Sequence, residues 1–219
     1  NITYEVQEVA RGIADALLIG SQFIGNDDVC LVLGDNIFYS PKFGGYLEQA
    51  LQHREGACVF GYYVDDPRAF GVVEFDADGH VISVEEKPKE PKSNYAVTGL
   101  YFYDNRCVDY ADGLTPSARG ELEITDLNRL YLQAGDLDVK LLGRGYAWLD
   151  TGTTDSLLEA GNFVRTIQHQ QGVEISSPEE VAYINGWITA DDLAAAAKTY
   201  GKSAYGAYLQ AVVRGEIQY

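Results

Sequence analysis

The sequence is poor in basic side chains and in long apolar runs, and it contains no methionine. Sixteen lysines and arginines stand against 33 aspartates and glutamates, giving a net charge of −17. This excess disfavours non-specific binding to nucleic acid or to an anionic membrane surface. The longest apolar run, Val29 to Leu33, is far shorter than the roughly 18 residues of a membrane-spanning helix, and the opening residues show no signal-segment pattern. We therefore expect a cytoplasmic protein with no nucleic-acid or membrane partner.

Cysteine is also scarce, and several catalytic motifs are missing. The three cysteines, Cys30, Cys58 and Cys107, are too widely spaced for a zinc knuckle or a redox pair. We expect ordinary buried or half-buried thiols. The sequence has no G-x-S-x-G elbow, no H-E-x-x-H and no P-loop. Hydrolase and metalloprotease functions therefore lose most of their support.

Hydrophobic periodicity predicts an α/β fold. The spacing of apolar residues from Val9 to Gly20 is helical, and the run from Val29 to Leu33 predicts a strand buried on both faces of a sheet. Residues 71–75 and 81–86 flank an Asp-Ala-Asp-Gly sequence and predict a hairpin. A further helix is expected from Glu123 to a stop at Gly135.

The second half of the chain is mostly helical in its pattern. A helix is expected from Thr153 or Thr154, and later helices from Pro178 and Thr189. We predict a Rossmann-like, mostly parallel sheet sandwiched by helices over residues 1–171, followed by a helical appendage over residues 172–219. Sheets of this kind bind ligands beyond the carboxyl ends of their strands.

Acidic side chains follow two of the predicted strands. Asp35 and Asn36 come directly after the first buried strand, and Asp150 lies between a strand region and a helix start. Each has an ordinary alternative: Asp35 or Asn36 can bond its own backbone in a turn, and Asp150 can cap the helix. Two such carboxylates can also share one Mg²⁺, which binds one or two carboxylates together with water and phosphate.

Two further places carry charge that a ligand could use. Glu86 lies at the end of the more apolar face of its strand, where a carboxylate needs a partner such as a ligand hydroxyl or a cation. The alternative is that the strand end is at the rim of the sheet and Glu86 is solvated. Lys87 follows it and can turn to either side. Arg119 lies among small residues and could bind phosphate with two parallel hydrogen bonds, or form a surface ion pair with the glutamates that follow it.

Taken together, these segments resemble the glucose-1-phosphate thymidylyltransferase family of sugar nucleotidyltransferases. The resemblance runs in order from about Tyr4 to the end of the chain. It is carried by the sequences LGDN at 33–36, FGVVEF at 70–75, EEKP at 85–88, PKSNYAVTGLYFY at 91–103, RGELEITD at 119–126 and GRGYAWLDTGT at 143–153.

The resemblance implies a reaction between dTTP and α-D-glucose 1-phosphate that gives dTDP-glucose and pyrophosphate, the first step towards dTDP-rhamnose. It also implies a homotetramer. Two alternatives remain open: a UTP-preferring glucose-1-phosphate uridylyltransferase, and a non-catalytic module that binds nucleotide sugars.

The same resemblance implies a role for each matching residue. Asp35 and Asp150 match the Mg²⁺ ligands, and Lys87 and Arg119 match the contacts to the sugar phosphate that we assign as catalytic. The nucleotide-binding positions are Gln7, Gly12 and Tyr101, and the sugar-binding positions are Asn36, Gly71, Glu86 and Val97.

One feature of the family has no counterpart in the sequence. A glycine-rich loop with an arginine and a following lysine, which cradles the triphosphate in the family, does not occur here. We therefore expect that the N-terminal βα units of the family are missing ahead of Asn1. We also expect that this chain alone binds triphosphate poorly and turns over little substrate.

Overall fold

The computed structural model describes residues 2–52 and 55–217, which divide into two compact units. The first unit ends at Asp150 and the second begins at Thr151. The helix over residues 154–171 therefore belongs to the second unit, whereas the sequence-based division lies between residues 171 and 172. That division assigned the helix that Thr153 caps to the α/β domain, and it stays a prediction.

The first unit alternates strands and helices, as the predicted α/β class requires. Within its described residues the strands are β1 (Val29–Val32), β2 (Asn36–Tyr39), β3 (Ala57–Tyr63), β4 (Gly71–Phe75), β5 (Val81–Glu86), β6 (Tyr95–Tyr103), β7 (Leu137–Leu142) and β8 (Ala147–Asp150). Its helices are α1 (Asp15–Ile19), α2 (Ser21–Ile24), α3 (Phe43–Gln52), α4 (Arg106–Asp112) and α5 (Ile124–Ala134).

The main sheet is mixed rather than mostly parallel. Its strand order is β5-β4-β6-β3-β7, and β1 also pairs with β6. Strand β6 runs antiparallel to β1, β3 and β4, and β4 and β5 form an antiparallel hairpin. Among the described strands, β3 and β7 form the parallel pair. The reversed strand β6 at the centre of the sheet is the reason that the expected parallel sheet is wrong in this part of the chain.

Strand β3 separates two apolar cores because its side chains alternate between the faces of the sheet. Ala57 and Val59 pack with α1, α4 and α5 on one face. Cys58 and Phe60 pack with α3 on the other. Both faces of β3 are therefore buried, as in a strand covered by helices on both sides.

Two predicted elements at the start of the chain differ from the structure. Helix α1 spans only Asp15–Ile19, and Val9 lies outside it with 66% of its surface exposed. Strand β1 forms where predicted, but Cys30 and Val32 are exposed, so it is not buried on both faces. An apolar run shows that a strand is favoured, but it does not show which faces other elements cover.

The hairpin and helix α5 form as predicted, for identifiable local reasons. In the turn between β4 and β5, Oδ1 of Asp76 accepts hydrogen bonds from two backbone N–H groups, and Gly79 has a φ of +88°. Helix α5 begins after Glu123 and ends at Gly135, which adopts the left-handed conformation at φ +79°. Leu127 and Tyr131 are fully buried on its inner face.

The second unit contains four helices in its described residues. These are α6 (Thr154–Gln171), α7 (Pro178–Ile184), α8 (Ala190–Thr199) and α9 (Ala204–Val213). Thr153 and Thr189 cap α6 and α8 through reciprocal hydrogen bonds with Ser156 and Asp192. The core of this unit comprises Leu193, Ala197, Leu209 and Val212. None of the helices in residues 2–52 and 55–217 is long and apolar enough to cross a bilayer.

Candidate active site

A short two-stranded ladder, which the sequence did not predict, brings the two candidate metal ligands together. Strands β2 and β8 pair antiparallel with Asn36 directly opposite Asp150. The Cα atoms of directly opposed residues are about 4.5–5.5 Å apart, and Asp35 immediately precedes Asn36. The carboxylates of Asp35 and Asp150 line the same cavity.

This cavity has a volume of about 230 Å³ and collects most of the predicted site residues. Nine of the eleven residues predicted from the sequence line it: Asp35, Asn36, Gly71, Glu86, Lys87, Val97, Tyr101, Arg119 and Asp150. The other two, Gln7 and Gly12, are not among its described lining residues, although Ile13, the neighbour of Gly12, is. The roles of all eleven remain predictions.

Both the oxygen and the nitrogen of the Asn36 side-chain amide form hydrogen bonds. Its Oδ1 accepts hydrogen bonds from the backbone N–H of Gly99 at 2.9 Å and from the indole N–H of Trp148 at 2.6 Å. Its Nδ2 donates to Oδ1 of Asp35 at 2.9 Å. The amide oxygen is thereby occupied, so Nδ2 is the atom that can offer a further hydrogen bond to a sugar hydroxyl.

The carboxylate of Glu86 is fixed by a residue that the sequence analysis did not single out. The hydroxyl of Thr125, on α5, donates to Oε2 of Glu86 at 2.5 Å. Gly71 lies opposite Glu86 in the hairpin, and a Cβ atom at Gly71 would lie 2.9 Å from the Thr125 hydroxyl. The absence of a side chain at Gly71 therefore lets α5 approach the strand closely enough for this hydrogen bond.

Arg119 lines the cavity and forms ion pairs with nearby glutamates, as the second interpretation of the sequence expected, and its contact with phosphate stays a prediction. Its Nε and Nη2 donate to Glu123, with Nη2 2.7 Å from Oε2, and Nη2 lies 3.2 Å from Glu121 and 3.3 Å from Glu86. The hydrogen bonds to Glu123 raise the pKa of Arg119. Burial acts to raise the pKa of Glu123, but hydrogen bonds from Arg119 and Ser117 lower it overall.

Lys87 adopts a backbone conformation that is unusual for a residue with a side chain. Its φ is +43°, in the left-handed region. Its backbone N–H donates to the carbonyl of Phe70 at 3.0 Å. Its ammonium group lies 3.9 Å from Oε1 of Glu86 and is 45% exposed. Left-handed backbone at a non-glycine residue costs of order 1–3 kcal/mol and is concentrated at functional sites.

Tyr101 is 4% exposed and forms part of the cavity wall. Burial raises the pKa of its phenol strongly, and the negative charges of Glu86, Asp150 and Asp35 add to the effect. The phenol therefore stays protonated at neutral pH.

Gln7 and Gly12 contact each other beside helix α1. Nε2 of Gln7 donates to the carbonyl of Gly12 at 3.1 Å and to the fully buried Asp15 at 2.7 Å. Gly12 has a φ of +100°, and a Cβ there would lie 2.4 Å from the carbonyl oxygen of Leu122. Only glycine fits this position, which supports a structural role for Gly12 next to Ile13, a residue that lines the cavity.

The cavity carries more negative than positive charge. Its described lining includes five carboxylates and two cations: Asp35, Glu86, Glu121, Glu123 and Asp150 against Lys87 and Arg119. A phosphate would be repelled from such a site unless a cation accompanied it. Carboxylate oxygens are the ligands that Mg²⁺ prefers, and it typically uses one or two of them together with substrate phosphate. Asp35 and Asp150 fit a divalent cation on this chemistry.

Trp148 and Glu123 were also not assigned a role from the sequence. Trp148 lies in the GRGYAWLDTGT segment, two residues before Asp150, and strand alternation alone would place both on one face of β8. Glu123 was recognised only as one of the glutamates after Arg119. Their contacts depend on tertiary packing that local patterns do not encode.

Comparison with known proteins identifies the family. Residues 1–167 match the family model described as nucleotidyl transferase. Curated proteins named glucose-1-phosphate thymidylyltransferase are 57% identical over 208 residues in Neisseria gonorrhoeae and 56% identical over 209 residues in Mycolicibacterium smegmatis. Each alignment covers 95% of this chain and 72% of the relative.

Solved structures give the same result at the level of the fold. The crystal structure of a glucose-1-phosphate thymidylyltransferase from Bacillus anthracis, in complex with a sucrose, has a TM-score of 0.67 and 47% identity over 74% of this chain and 65% of its own. A UDP-glucose pyrophosphorylase complexed with UDP-glucose has a TM-score of 0.62 and 24% identity over 75% of this chain and 66% of its own.

The higher identities favour the thymidylyltransferase interpretation over the uridylyltransferase alternative, for which the likeness extends to the fold alone. The α/β nucleotidyltransferase fold predicted from the sequence is confirmed. Enzymes of the family generally use a divalent metal. The family model matches residues 1–167 of the chain, and more than half of the residues of the chain are identical in these relatives. The chain therefore belongs to the glucose-1-phosphate thymidylyltransferase family of nucleotidyl transferases.

Proposed function

We propose that this protein transfers a thymidylyl group from dTTP to α-D-glucose 1-phosphate. A phosphate oxygen of the sugar phosphate attacks the α-phosphorus of dTTP, the bond to the β-phosphate breaks, and the products are dTDP-glucose and pyrophosphate. The observation that carries the proposal is the single cavity in which residues from six different sequence segments meet. These segments are the ones through which the chain resembles its relatives.

The nucleophile needs no general base. The second pKa of a phosphate monoester is about 6, so at neutral pH the attacking oxygen is already mostly ionised. The main barrier is electrostatic, because one anion must approach another. Positioning and charge compensation supply most of the catalysis in such reactions. Five carboxylates against two cations in the cavity make added positive charge a requirement.

Asp35 and Asp150 would hold Mg²⁺ at this site. When bound, the ion supplies positive charge that offsets the charge on the reacting phosphate groups. Asp35 immediately precedes β2 and Asp150 ends β8, and hydrogen bonding holds these two strands in register. The spacing of the two aspartates is therefore set by the ladder rather than by a flexible loop.

Lys87 and Arg119 would bind the phosphate of glucose 1-phosphate. Arg119 is oriented by Glu123, whose side chain is only 7% exposed, so the guanidinium group is held in place before the substrate arrives. The ammonium group of Lys87 lies 3.9 Å from Oε1 of Glu86, whereas Thr125 donates to the other carboxylate oxygen, Oε2. Together Lys87 and Arg119 would align the attacking phosphate with the nucleotide.

The sugar would be recognised by its hydroxyl groups. Glu86, Asn36, Gly71 and the backbone at Val97 offer acceptors and donors, and an analogue lacking a hydroxyl would leave such groups unpaired. Gln7, Gly12 and Tyr101 would bind the nucleoside.

Pyrophosphate release by the purified chain, with dTTP and UTP compared at equal concentration, tests the proposal, and the chain is used at a concentration that makes the expected low turnover measurable. We expect faster release with dTTP. The variants D35N and D150N should lose at least about 100-fold in rate, whereas D78N, an exposed acid in the β4–β5 turn, should not. Faster release with UTP would support the uridylyltransferase alternative.

Titration calorimetry with dTDP-glucose addresses the remaining alternative. Binding heat without pyrophosphate release would favour a non-catalytic module that binds nucleotide sugars. Sedimentation of the same preparation tests the predicted homotetramer, and a cytoplasmic location remains a prediction for cell fractionation.

A further inference from the structure

A chain of hydrogen bonds connects Trp148 to the predicted metal ligand Asp35. The indole N–H of Trp148 donates to Oδ1 of Asn36 at 2.6 Å, and the backbone N–H of Gly99 donates to the same oxygen at 2.9 Å. Nδ2 of Asn36 then donates to Oδ1 of Asp35 at 2.9 Å. The amide of Asn36 thus stands between the indole and the carboxylate.

The direction of this amide follows from chemistry alone. Side-chain amide oxygen and nitrogen are easily exchanged when their neighbours can both donate and accept. Here the two neighbours of one amide atom are an indole N–H and a backbone N–H, and neither can accept a hydrogen bond. The atom they contact must be Oδ1. Nδ2 of Asn36 is consequently turned towards Asp35.

Trp148 is well placed to fix that direction because it is itself immobilised. It is 7% exposed. The rings of Phe70 and Tyr62 meet it edge-on, with centroids at 5.0 and 5.8 Å. It belongs to β8, the strand that also carries Asp150. One rigid strand therefore provides one predicted ligand directly and orients the other through Asn36.

We propose that Trp148 is a positioning residue for the nucleotidyl transfer: through Asn36 it holds the Asp35 carboxylate in the direction needed to bind the divalent cation. The proposal rests on the proposed function, since it matters only if Asp35 is a metal ligand. Partners that orient metal-binding side chains typically change metal affinity by about 10- to 100-fold when they are removed. Trp148 acts one step further away, so its effect should be smaller.

The test measures Mn²⁺ affinity by the electron paramagnetic resonance signal of the free ion, with the full chain and no nucleotide. W148F keeps an aromatic ring against Phe70 but removes the indole donor. We expect it to weaken Mn²⁺ binding about threefold, and N36L about tenfold. The double variant should bind no more weakly than N36L, because Trp148 acts through Asn36. W187F is the matched control, since Trp187 is 74% exposed and lies in the second unit.

The outcomes separate the inference from the function on which it rests. If D35N weakens Mn²⁺ binding but W148F binds like W187F, the positioning role is wrong while the metal site stands. The role is also wrong if the losses in W148F and N36L multiply. If D35N itself leaves Mn²⁺ affinity unchanged, both proposals fail.

A second measurement covers the case in which W148F does not fold. The sequence contains two tryptophans, so in a W187F background the tryptophan fluorescence comes from Trp148 alone. N36L in that background should shift the emission to shorter wavelength, because the indole loses its hydrogen-bond acceptor. Unchanged emission would show that the first link of the chain does not exist and would overturn the proposal.

Discussion

Replacing Gly99 by alanine should test the packing that orients the site. Gly99 lies in β6, and its backbone N–H holds the side chain of Asn36. A Cβ atom there would lie 2.6 Å from both Cγ and Oδ1 of Asn36 and 2.8 Å from Cβ of Leu33. Contacts this short force a neighbour to move. The backbone of Gly99 is not in the left-handed region, so the effect of G99A comes from the added methyl group.

The expected magnitude follows from what has to move. Cβ of Leu33 is fixed to the main chain, so rotation of the Leu33 side chain does not relieve that contact. Asn36 can move only by weakening its hydrogen bonds to Trp148 or Gly99. Overpacking costs about 1–3 kcal/mol, and a disturbed hydrogen bond about 1 kcal/mol more. We expect G99A to lower the free energy of unfolding by about 2–4 kcal/mol.

Urea unfolding followed by circular dichroism measures this effect, with G45A as the matched control. Gly45 lies in α3 and has open space where a Cβ would be placed. Alanine is the better helix former, so G45A should stabilise the protein by about 0.4–1 kcal/mol. The two substitutions add the same methyl group and should have opposite signs. A G99A variant within about 0.5 kcal/mol of the wild type would refute the steric argument.

Three further predictions concern other contacts. T125V removes the hydroxyl that holds Glu86 and should raise KM for glucose 1-phosphate about fivefold, the equivalent of one hydrogen bond; an unchanged KM would contradict this. Native-state labelling with a thiol reagent should modify exposed Cys30, while the two buried thiols react only on unfolding; their pKa values are raised to about 12, mainly by burial. Burial acts to raise the pKa of Asp104, but hydrogen bonds, chiefly from Arg106, lower it overall. The ionised Asp104 therefore stabilises the folded protein above about pH 4, and this stabilisation is lost as the pH falls through the lowered pKa. D104N should therefore flatten the acid limb of a stability–pH curve.

Local sequence signals predicted the elements whose boundaries depend on nearby residues. The β4–β5 hairpin follows from its Asp-Ala-Asp-Gly turn, because Asp76 and Gly79 satisfy the turn without tertiary help. Helix α5 ends at Gly135 and α6 begins after Thr153 for the same reason. Glycine and capping side chains fix helix ends through bonds within a few residues.

Features that depend on pairing between distant segments could not be predicted in this way. The β2–β8 ladder joins segments more than 100 residues apart in the chain, and neither segment has a strong strand pattern. The reversed direction of β6 likewise depends on how the sheet is assembled. Resemblance named Asp35 and Asp150 as partners, but the ladder explains why they meet. Trp148 was missed because its contact lies across this ladder, and Thr125 was missed because its contact depends on how α5 packs against β5.

The arrangement of charge in the cavity has a consequence for how the site discriminates its ligands. Arg119 is shared among three glutamates, and Lys87 lies near one of them. Both cations are therefore partly compensated by carboxylates before a phosphate arrives, so the phosphate contacts proposed for them depend on added positive charge. A free phosphate ion gains little by entering such a site, whereas a phosphate that arrives with a divalent cation gains the two carboxylates of Asp35 and Asp150 as partners. Under the proposed function, the excess of carboxylates would favour metal-bound nucleotide over other anions, and the net charge of −17 would act in the same direction.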